Sequence, residues 1–431
     1  MINFRELNSE NIEFNQIFDS FLSKRNSVSE EVSSKVKDII FQIRTHGDEA
    51  LKSFTREFDS FEGEEFLVSQ KEINQILKDF DSSLMKSFEF AFDKIINYQS
   101  SCFESLTLDG NDQEITRKFR TINSVGMYIP GGKASYPSTV FMGAAPALAC
   151  GIKKISIASP SQKGILNPMV IAAAQVVGID KIYKIGGAQA IAAFAFGTAQ
   201  ISKVEKIIGP GNVFVAEAKK QLYGEVGIDS IAGPSEIVVL ADSTSDPETI
   251  AWDLMAQSEH DADASSVLIS TSEKMIEKVK DIISSEVTSL ARCSIIEESI
   301  NSNGLFIKIN DLSEAKEIIN KLAPEHLHIA FDHHDYLDEE ELIAGLVLKG
   351  RDSANSFSDY VLGPSHILPT NSSSRFSSPL SVEDFLVSYS YVALDRKSNK
   401  NFKEYIEHTV KIANAEGLTA HAIAAKKRSE S

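Results

Sequence analysis

A glutamine and a histidine three residues apart are the first side chains of this sequence that could bind a metal ion. Gln257 and His260 end a stretch that begins with Asp246-Pro247-Glu248, and this order of residues predicts the start of a helix. Residues three apart leave the same helical face, so the amide oxygen and the imidazole could share one metal ion or polar ligand. Two solvated polar side chains would explain the spacing equally well, because this pair makes only half of a site.

Other acids and imidazoles stand beside predicted turns later in the chain. Glu325 and His326 are adjacent after a predicted helix, and such a pair can transfer protons, although a solvated loop explains it as well. Four further residues flank glycine turns, namely Asp359, His366, Glu416 and His421. A mixed set of nitrogen and oxygen donors without a thiolate suits zinc or manganese with open positions for substrate. The side chains that would form such a set are Gln257, His260, Asp359 and His421.

The elements that must position these residues alternate between short apolar runs and small-residue helices. Apolar runs such as Ile237–Ala241 are short and β-branched, and the segments between them are Ala-rich or amphipathic. This alternation predicts parallel sheets with helices on both faces, which bind ligands at the carboxyl ends of their strands. We therefore expect the chemistry to lie in the turns that follow the strands.

Three glycine turns follow predicted strands in the middle of the chain. They are Gly131-Gly132, Gly186-Gly187 and Gly209-Pro210-Gly211. The last two open helices, where free N–H groups and the helix dipole favour a phosphate. The third resembles half of a dinucleotide fingerprint, but Phe214 replaces the final glycine, and Asp229 lies where that motif keeps its ribose-binding acid. Each turn alone could be a simple connection, whereas three together favour a nucleotide.

Composition narrows the class of protein. The 431 residues carry a net charge of −18, which argues against nucleic acid and anionic membranes as partners. Cys102, Cys150 and Cys293 form no CxxC pair, so neither a disulfide framework nor a thiolate zinc site is indicated. The N-terminus is polar and acidic, unlike a signal peptide, and no apolar stretch is long enough to span a bilayer. We expect a cytoplasmic protein.

Nine segments match the motifs of a known family, in that family's order. They are MYIPGG, GGAQAIAAFAFGT, IIGPGNVFVAEAKK, IDSIAGPSE, DLMAQSEHD, APEHL, DYVLGPSHILPT, RFSSPLSVEDF and AEGLTAH. Over nearly its whole length the chain resembles the histidinol dehydrogenases. The resemblance implies zinc-dependent oxidation of L-histidinol through L-histidinal to L-histidine with reduction of two NAD, the last steps of histidine biosynthesis.

The resemblance also assigns site residues. The implied zinc ligands are Gln257, His260, Asp359 and His421. The implied catalytic pair is Glu325 and His326. The implied substrate contacts are Ser235, His326, His366, Glu416 and the zinc ligands, and the NAD contacts are Tyr128, Gln189 and Asn212. The family implies a homodimer with shared active sites, in which Glu416 and His421 come from the second subunit.

We predict an α/β fold with two parallel-sheet, Rossmann-like domains, a helical N-terminal arm and a C-terminal helical tail. The predicted divisions are an arm at 1–24, a metal and catalytic domain at 25–127 and 237–380, an NAD-binding domain at 128–236, and a helical domain at 381–431 that reaches the partner. Within the first half we expect helices from Ser29 and from Lys71 to Gln99.

The chain departs from the family pattern in one loop. Ser358 stands where a glycine is usual before the aspartate of the DY motif, and Ser365 where an asparagine is frequent. Two other classes of function stay open on the residues alone. Glu325 and His326 could activate water in a zinc hydrolase, or the chain could be a non-catalytic paralogue that binds a histidine-like ligand. A cysteine-dependent aldehyde dehydrogenase is a weaker alternative, because no cysteine lies in a convincing nucleophile loop.

Overall fold

The computed structural model describes residues 2–23, 29–106, 115–131, 136–332 and 341–430. In that part of the chain the strands are β1 (Glu6–Asn8), β2 (Ile115–Thr121), β3 (Ser124–Tyr128), β4 (Lys154–Ala158), β5 (Ile182–Tyr183), β6 (Lys206–Ile208), β7 (Gly227–Ile228), β8 (Glu236–Ala241), β9 (Ser265–Ser270), β10 (Leu305–Lys308), β11 (His326–Ile329), β12 (Leu346–Lys349) and β13 (Leu386–Val392). The α-helices are α1 (Phe14–Ser23), α2 (Glu30–His46), α3 (Asp48–Asp59), α4 (Gln70–Lys78), α5 (Ser82–Ser105), α6 (Pro137–Ala149), α7 (Pro168–Val176), α8 (Gly187–Phe196), α9 (Val213–Leu222), α10 (Pro247–Ser258), α11 (Glu273–Glu286), α12 (Cys293–Asn303), α13 (Ala315–Leu322), α14 (Asn355–Tyr360), α15 (Phe402–Ala415) and α16 (Thr419–Glu430).

The chain divides into two compact units. The first comprises Met1–Ser105 with Thr121–Phe385, and the second comprises Leu106–Arg120 with Leu386–Ser431. Both parallel sheets belong to the first unit. None of the helices in the described ranges is long and apolar enough to cross a membrane.

A six-stranded sheet carries the residues predicted for metal binding and catalysis. Its order is β1-β10-β9-β8-β11-β12, and all neighbouring strands are parallel. Every residue of β8 and β9 is buried, because α10, α11 and α12 pack on one face while α1 and α13 pack on the other. The predicted parallel sheet with helices on both faces is confirmed for this half of the fold.

A five-stranded sheet carries the glycine turns. Its order is β5-β4-β3-β6-β7, again parallel throughout. The Ala-rich helix α8 lies directly on the sheet, and a Cβ on Gly126 would be only 2.7 Å from a ring carbon of Phe194. The glycine turns follow β3, β5 and β6, and because these strands are parallel members of one sheet, the turns share its carboxyl edge.

The N-terminal segment differs from the predicted helical arm at 1–24. It contains a strand as well as a helix, and β1 pairs with β10 at the edge of the six-stranded sheet. Phe14, Phe18 and Phe21 of α1 are buried against the same sheet. The segment is therefore part of the fold around that sheet.

Helices α2 to α5 also pack differently from the predicted division of the chain. The prediction grouped residues 25–127 with 237–380, but Val36, Ile39 and Ile43 of α2 are buried against α8 and α9 on the five-stranded sheet. Helix α5 packs on α6 and α7, which flank the five-stranded sheet, and helix α4 packs on α7. Periodicity shows that a helix buries one face, but it does not show which sheet covers that face.

The second unit contains more than the predicted helices of 381–431. Its β13 pairs with β2, which comes from the residues before Thr121, and α15 packs on α16. The predicted helical run from Lys71 to Gln99 is two helices, α4 and α5. Ser29 and Ser69 cap α2 and α4, since each side chain accepts a hydrogen bond from the first turn.

Candidate active site

The backbone of Glu236 holds the predicted catalytic pair. Parallel pairing of β8 with β11 sets His326 opposite Ile237, so the first residue of β8 lies beside Glu325 and His326. The Glu236 N–H donates to Glu325 Oε2 at 2.8 Å, and His326 Nδ1 donates to the Glu236 carbonyl at 3.1 Å. The Nδ1 proton leaves Nε2 as the basic nitrogen, and Nε2 has no hydrogen-bond partner within the described residues.

Burial removes the alternative that this pair belongs to a solvated loop. Glu325 is 6 % exposed and His326 is 3 % exposed. His326 is the first residue of β11, whose four residues are all buried. Local sequence does not indicate this strand, because four residues after a helix carry little periodicity.

The charges around His326 favour its protonated form. Burial opposes a charged imidazole, but Glu325, Asp359 and the Glu236 carbonyl outweigh it and raise the pKa of His326 to about 9. Asp359 Oδ1 lies 3.8 Å from His326 Nε2, and Glu325 Oε2 lies 3.5 Å from Nδ1. A cation bound to Asp359 would cancel part of this field and bring the imidazole closer to its ordinary behaviour.

His366 is fixed in one tautomer by two neighbours. Its Nδ1 donates to the Asp359 carbonyl at 3.0 Å, and its Nε2 lies 3.3 Å from Thr139 Oγ1, which can donate to it. Burial lowers the pKa of His366, although Asp359 opposes the shift. Nothing local in the sequence indicated Thr139, which comes from α6, more than two hundred residues earlier.

Gln257 lies in the last turn of α10, which ends at Ser258, so His260 follows the helix instead of sharing a helical face with Gln257 as predicted. Asp246 caps this helix by accepting from the Glu248 N–H. Gln257 is 1 % exposed, so two solvated side chains are not the explanation of the pair. Its Oε1 accepts from Asn355 Nδ2 at 3.1 Å, whereas its Nε2 is buried without a partner in the described residues. His260 is half-buried and stacks on Tyr136 at 6.3 Å between ring centroids.

A buried polar network lies beside Gln257 and was missed by the sequence interpretation. His328 Nδ1 lies 3.0 Å from Asp253 Oδ2, and its Nε2 lies 3.1 Å from the Gly350 carbonyl. Both ring nitrogens of His328 therefore face hydrogen-bond acceptors. Asp253 is one helical turn before Gln257 on α10, and Gly350 begins the loop that leads to Asn355, the first residue of α14. The network therefore joins α10, β11 and this loop.

The proposed zinc donors fall in both units of the chain. Gln257, His260 and Asp359 lie in the first unit, whereas the fourth donor, His421 in α16, lies in the second. The proposed substrate contact Glu416, at the end of α15, also lies in the second unit, and both residues are exposed. Within the described residues, no group of three or more His, Cys, Asp or Glu side chains is arranged to hold a metal ion. The amide oxygen, imidazole and carboxylate of the first unit nevertheless have the donor chemistry of an open zinc site. Gln257 would bind zinc through a lone pair of Oε1, because its unpartnered Nε2 is a hydrogen-bond donor.

Ser235 and the two serines that depart from the family pattern, Ser358 and Ser365, make hydrogen bonds to neighbouring residues. Ser235 is half-buried next to Glu236, and its carbonyl accepts from the Ser265 N–H at 2.9 Å. Ser358 is buried and its Oγ donates to the Asn355 carbonyl at 2.6 Å. Ser365 Oγ lies 3.4 Å from the Met142 carbonyl and accepts from the Ile367 N–H. Both departures from the family pattern therefore make hydrogen bonds within the fold.

The carboxyl edge of the five-stranded sheet brings the predicted NAD contacts together with the glycine turns. Tyr128 Oη accepts from the Gly187 N–H at 3.1 Å, and burial raises the pKa of this phenol to about 12. Gln189 is 1 % exposed, and both polar atoms of its amide are unpartnered within the described residues. Asn212 is exposed and caps α9 by accepting from the N–H groups of Phe214 and Val215.

Asp229 is not available where a dinucleotide fingerprint keeps its ribose-binding acid. Its side chain is 3 % exposed and pairs with Lys219. One carboxylate oxygen also accepts from the Gly209 N–H at 2.7 Å. The positional match noted in the sequence thus corresponds to an acid that is bonded inside the turn.

The cysteine chemistry of an aldehyde dehydrogenase finds no support at Cys150. This residue is buried, and the loss of solvation raises the pKa of its thiol to about 12. Cys102 and Cys293 are half-buried free thiols on α5 and α12.

Comparison with known proteins gives one consistent family. The family model described as histidinol dehydrogenase matches residues 22–429. The chain is 43% identical to histidinol dehydrogenase of Clostridium acetobutylicum over 415 residues, 95% of each chain, and 41% identical to that of Bacillus cereus over 94% of each. It superposes on the crystal structure of histidinol dehydrogenase from Elizabethkingia anophelis with a TM-score of 0.91 at 30% identity, over 100% of this chain and 99% of the other.

Proposed function

The chain belongs to the histidinol dehydrogenase family, and we propose that it oxidises L-histidinol through L-histidinal to L-histidine with zinc and two NAD, in the last steps of histidine biosynthesis. The family consists of NAD-dependent oxidoreductases that act first on an alcohol and then on an aldehyde. The observation that carries the proposal is the Glu236 peptide, which holds an acid and a base, Glu325 and His326, beside Asp359.

We assign the metal to Gln257, His260 and Asp359, with His421 as the fourth ligand. When bound, zinc would act as a Lewis acid that anchors the imidazole and amino nitrogens of the substrate. Gln257 is held by Asn355 and lies on the same helix as Asp253, so its amide is already oriented. Ser235, His366 and Glu416 would complete the substrate contacts.

In the first oxidation His326 acts as the general base. Its Nδ1–H is committed to the Glu236 carbonyl, so Nε2 is the atom that accepts the hydroxyl proton of L-histidinol. The carbinol C–H bond breaks at the same time and its hydride passes to NAD, which leaves the aldehyde L-histidinal. The nearby carboxylates of Glu325 and Asp359 stabilise the imidazolium that results.

In the second oxidation Glu325 acts on water. Its Oε2 is fixed by the Glu236 N–H, so the carboxylate is oriented to take a proton as water adds to the aldehyde carbon. The His326 imidazolium left by the first oxidation gives its proton to the oxyanion that forms as water adds, so the hydrate is neutral and His326 is a base again. The hydrate then loses its C–H hydride to a second NAD and a hydroxyl proton to His326, which forms L-histidine, and the protons on Glu325 and His326 pass to solvent. Tyr128, Gln189 and Asn212 would contact each NAD in turn. Neither step needs a thiol.

We further propose a cytoplasmic homodimer. Glu416 and His421 lie in the second unit of the chain and are exposed, as residues offered to another copy would be. Tyr389, Tyr391 and Val392 of β13, and Ile412 and Ile423 of the last two helices, are large apolar side chains that are also exposed. A second copy that covers these side chains would supply the missing ligand to the site.

The proposal is tested by NADH yield from limiting L-histidinol. We expect two NADH per substrate, complete loss of activity after chelation, and recovery when zinc is restored. A folded, zinc-loaded protein that forms no NADH would contradict the proposal. Glu325 and His326 would then be expected only to activate water, and hydrolase substrates would be tested next.

A further inference from the structure

A buried ion pair lies beneath the glycine turn that follows β6. Lys219 comes from the middle of α9 and Asp229 directly follows β7, and their side chains are 2 % and 3 % exposed. An ion pair so fully removed from water loses solvation at both groups, and its net stabilisation is small or absent. Its geometry is therefore a better guide to its role than its contribution to stability.

The pair is directed at one peptide unit on each side of Gly209. Lys219 Nζ donates to the Gly209 carbonyl at 3.0 Å, and the Gly209 N–H donates to Asp229 Oδ2 at 2.7 Å. The φ angle of Gly209 is +108°, and a Cβ at this position would be 2.1 Å from the Tyr128 carbonyl oxygen. Glycine is therefore required at this position. Because a glycine has no side chain to restrain its backbone, the two hydrogen bonds from the ion pair fix the conformation of the turn.

The held turn connects the residues proposed to contact NAD. Gly209 touches the backbone of Tyr128, whose hydroxyl reaches the Gly187 N–H of the neighbouring turn. Three residues after Gly209, Asn212 caps α9, the helix that supplies Lys219. A shift of Gly209 would thus move Asn212 and disturb Tyr128 together. Preorganised N–H groups and polar side chains reduce the ordering cost of binding a dinucleotide.

We infer that Lys219 and Asp229 are positioning residues for the dinucleotide, and that Asp229 takes no part in recognising the adenosine ribose. The inference rests on the proposed function, because it takes NAD to be the ligand of this edge. In this assignment the Asp229 carboxylate binds the backbone N–H of Gly209 and does not bind a ribose.

The experiment compares Asp229→Asn and the double variant K219M/D229N with Lys206→Met as the matched control. The double variant removes both charges, so neither is left buried without its partner, and misfolding caused by an unpaired charge is avoided. Lys206 also pairs with an acid, Asp384, and is 13 % exposed, but it begins β6 at the opposite edge from the turn. For each protein we would measure the Kd for NAD and for NADP by calorimetry, KM for both substrates, and Tm.

The inference predicts that both Asp229 variants weaken NAD by at least about tenfold in Kd and KM. The KM for L-histidinol and the ratio of NADP to NAD affinity should stay at wild-type values, and Lys206→Met should change only Tm. Two results would overturn it. A gain of NADP over NAD in Asp229→Asn would make Asp229 a ribose-binding acid, and a lowered Tm with unchanged NAD binding would make the pair purely structural. Calorimetry measures NAD binding without requiring the proposed reaction. If the wild-type protein binds NAD but does not turn over, the variants still test the inference. If the wild-type protein binds no NAD, the inference is overturned.

Discussion

The two sheet edges that carry the predicted site residues are built from different chemical groups. On the six-stranded sheet this edge is the amino edge, because β8 and β11 begin at Glu236 and His326, so the prediction that the chemistry follows the strands is wrong there. This edge presents side chains, among them Glu325 and His326, with Asp359 of α14 nearby. The edge of the five-stranded sheet presents backbone turns, and its polar side chains Asn212 and Tyr128 are bonded to N–H groups of those turns. Backbone groups suit a ligand that must be held without reaction, whereas ionisable side chains are needed where protons move.

Each edge is supported by a buried charged network one layer below it. Lys219 and Asp229 hold Gly209 on the five-stranded sheet, and Asp253 holds His328 next to Gln257 on the six-stranded sheet. If the comparison is correct, damage at the two edges has separable kinetic consequences. Substitutions at the edge of the five-stranded sheet should change NAD binding. Substitutions at the edge of the six-stranded sheet should change metal binding and kcat.

The largest expected effect is on kcat when the general base is removed. In His326→Asn the amide nitrogen can still donate to the Glu236 carbonyl, but no basic nitrogen replaces Nε2. We expect kcat to fall about 10³-fold while the Kd for NAD is unchanged. Steady-state kinetics with both substrates and calorimetry with NAD provide the measurement. A loss of NAD affinity equal to the loss of kcat would mean that the two edges are not separable.

A smaller effect is expected on zinc affinity when the network beside Gln257 is cut. His328→Leu removes both ring nitrogens and their contacts with Asp253 and the Gly350 carbonyl, which should loosen α10 and the loop before Asn355. Zinc should bind about 10- to 100-fold more weakly, as competition with a chromophoric chelator would show. Ser266→Ala is the control, because Ser266 bonds to Ser258 of the same helix through a separate contact. Equal zinc affinity in all three proteins would restrict His328 to a role in stability.

Thr139→Val tests how tightly His366 is held. The change keeps the size of the side chain but removes the hydroxyl that lies 3.3 Å from Nε2 of the imidazole. We expect the KM for L-histidinol to rise about three- to tenfold, the loss typical of one hydrogen bond, with the Kd for NAD unchanged. Thr139→Ser should restore the wild-type KM. Failure of serine to restore it would point to packing by the threonine methyl group.

The smallest predicted effect is a pH-dependent gain of stability at the NAD edge. Burial raises the pKa of Asp59 from 3.8 to about 6, although the Gly186 N–H opposes the shift. A carboxyl whose pKa is raised on folding destabilises the folded state as pH rises from the unfolded value towards the folded one, and the effect is complete above that window. Asp59→Asn should therefore raise Tm by a few degrees at pH 8 and by less at pH 4.5, a shift that scanning calorimetry resolves. An equal gain at both pH values would show that ionisation is not its cause.

Some features of both edges could be predicted from local sequence. The β-branched run before Asp246 predicts a buried strand, the Asp-Pro-Glu order predicts the start of α10, and the glycine turns predict helix N-termini at Gly187 and Val213. These signals are local, because capping and periodicity act over a few residues.

The remaining features depend on contacts between distant segments. Thr139 meets His366 across 227 residues, and Glu236 meets Glu325 across 89. The burial of β11 and the choice of sheet by α2 are likewise set by tertiary packing, which no local pattern encodes. The assignment of Asp229 could not be made from spacing alone, since a ribose-binding acid and a turn-binding acid occupy the same position in the sequence.

The central claim is that the backbone N–H and carbonyl of Glu236 hold two separate catalytic groups, His326 for the first oxidation and Glu325 for the second. The most direct test is the NADH yield of Glu325→Gln with limiting L-histidinol, since the glutamine Oε1 can still accept from the Glu236 N–H. We predict one NADH per substrate and trappable L-histidinal, against two NADH for the wild type. Two NADH formed by the variant at the wild-type rate would contradict the claim.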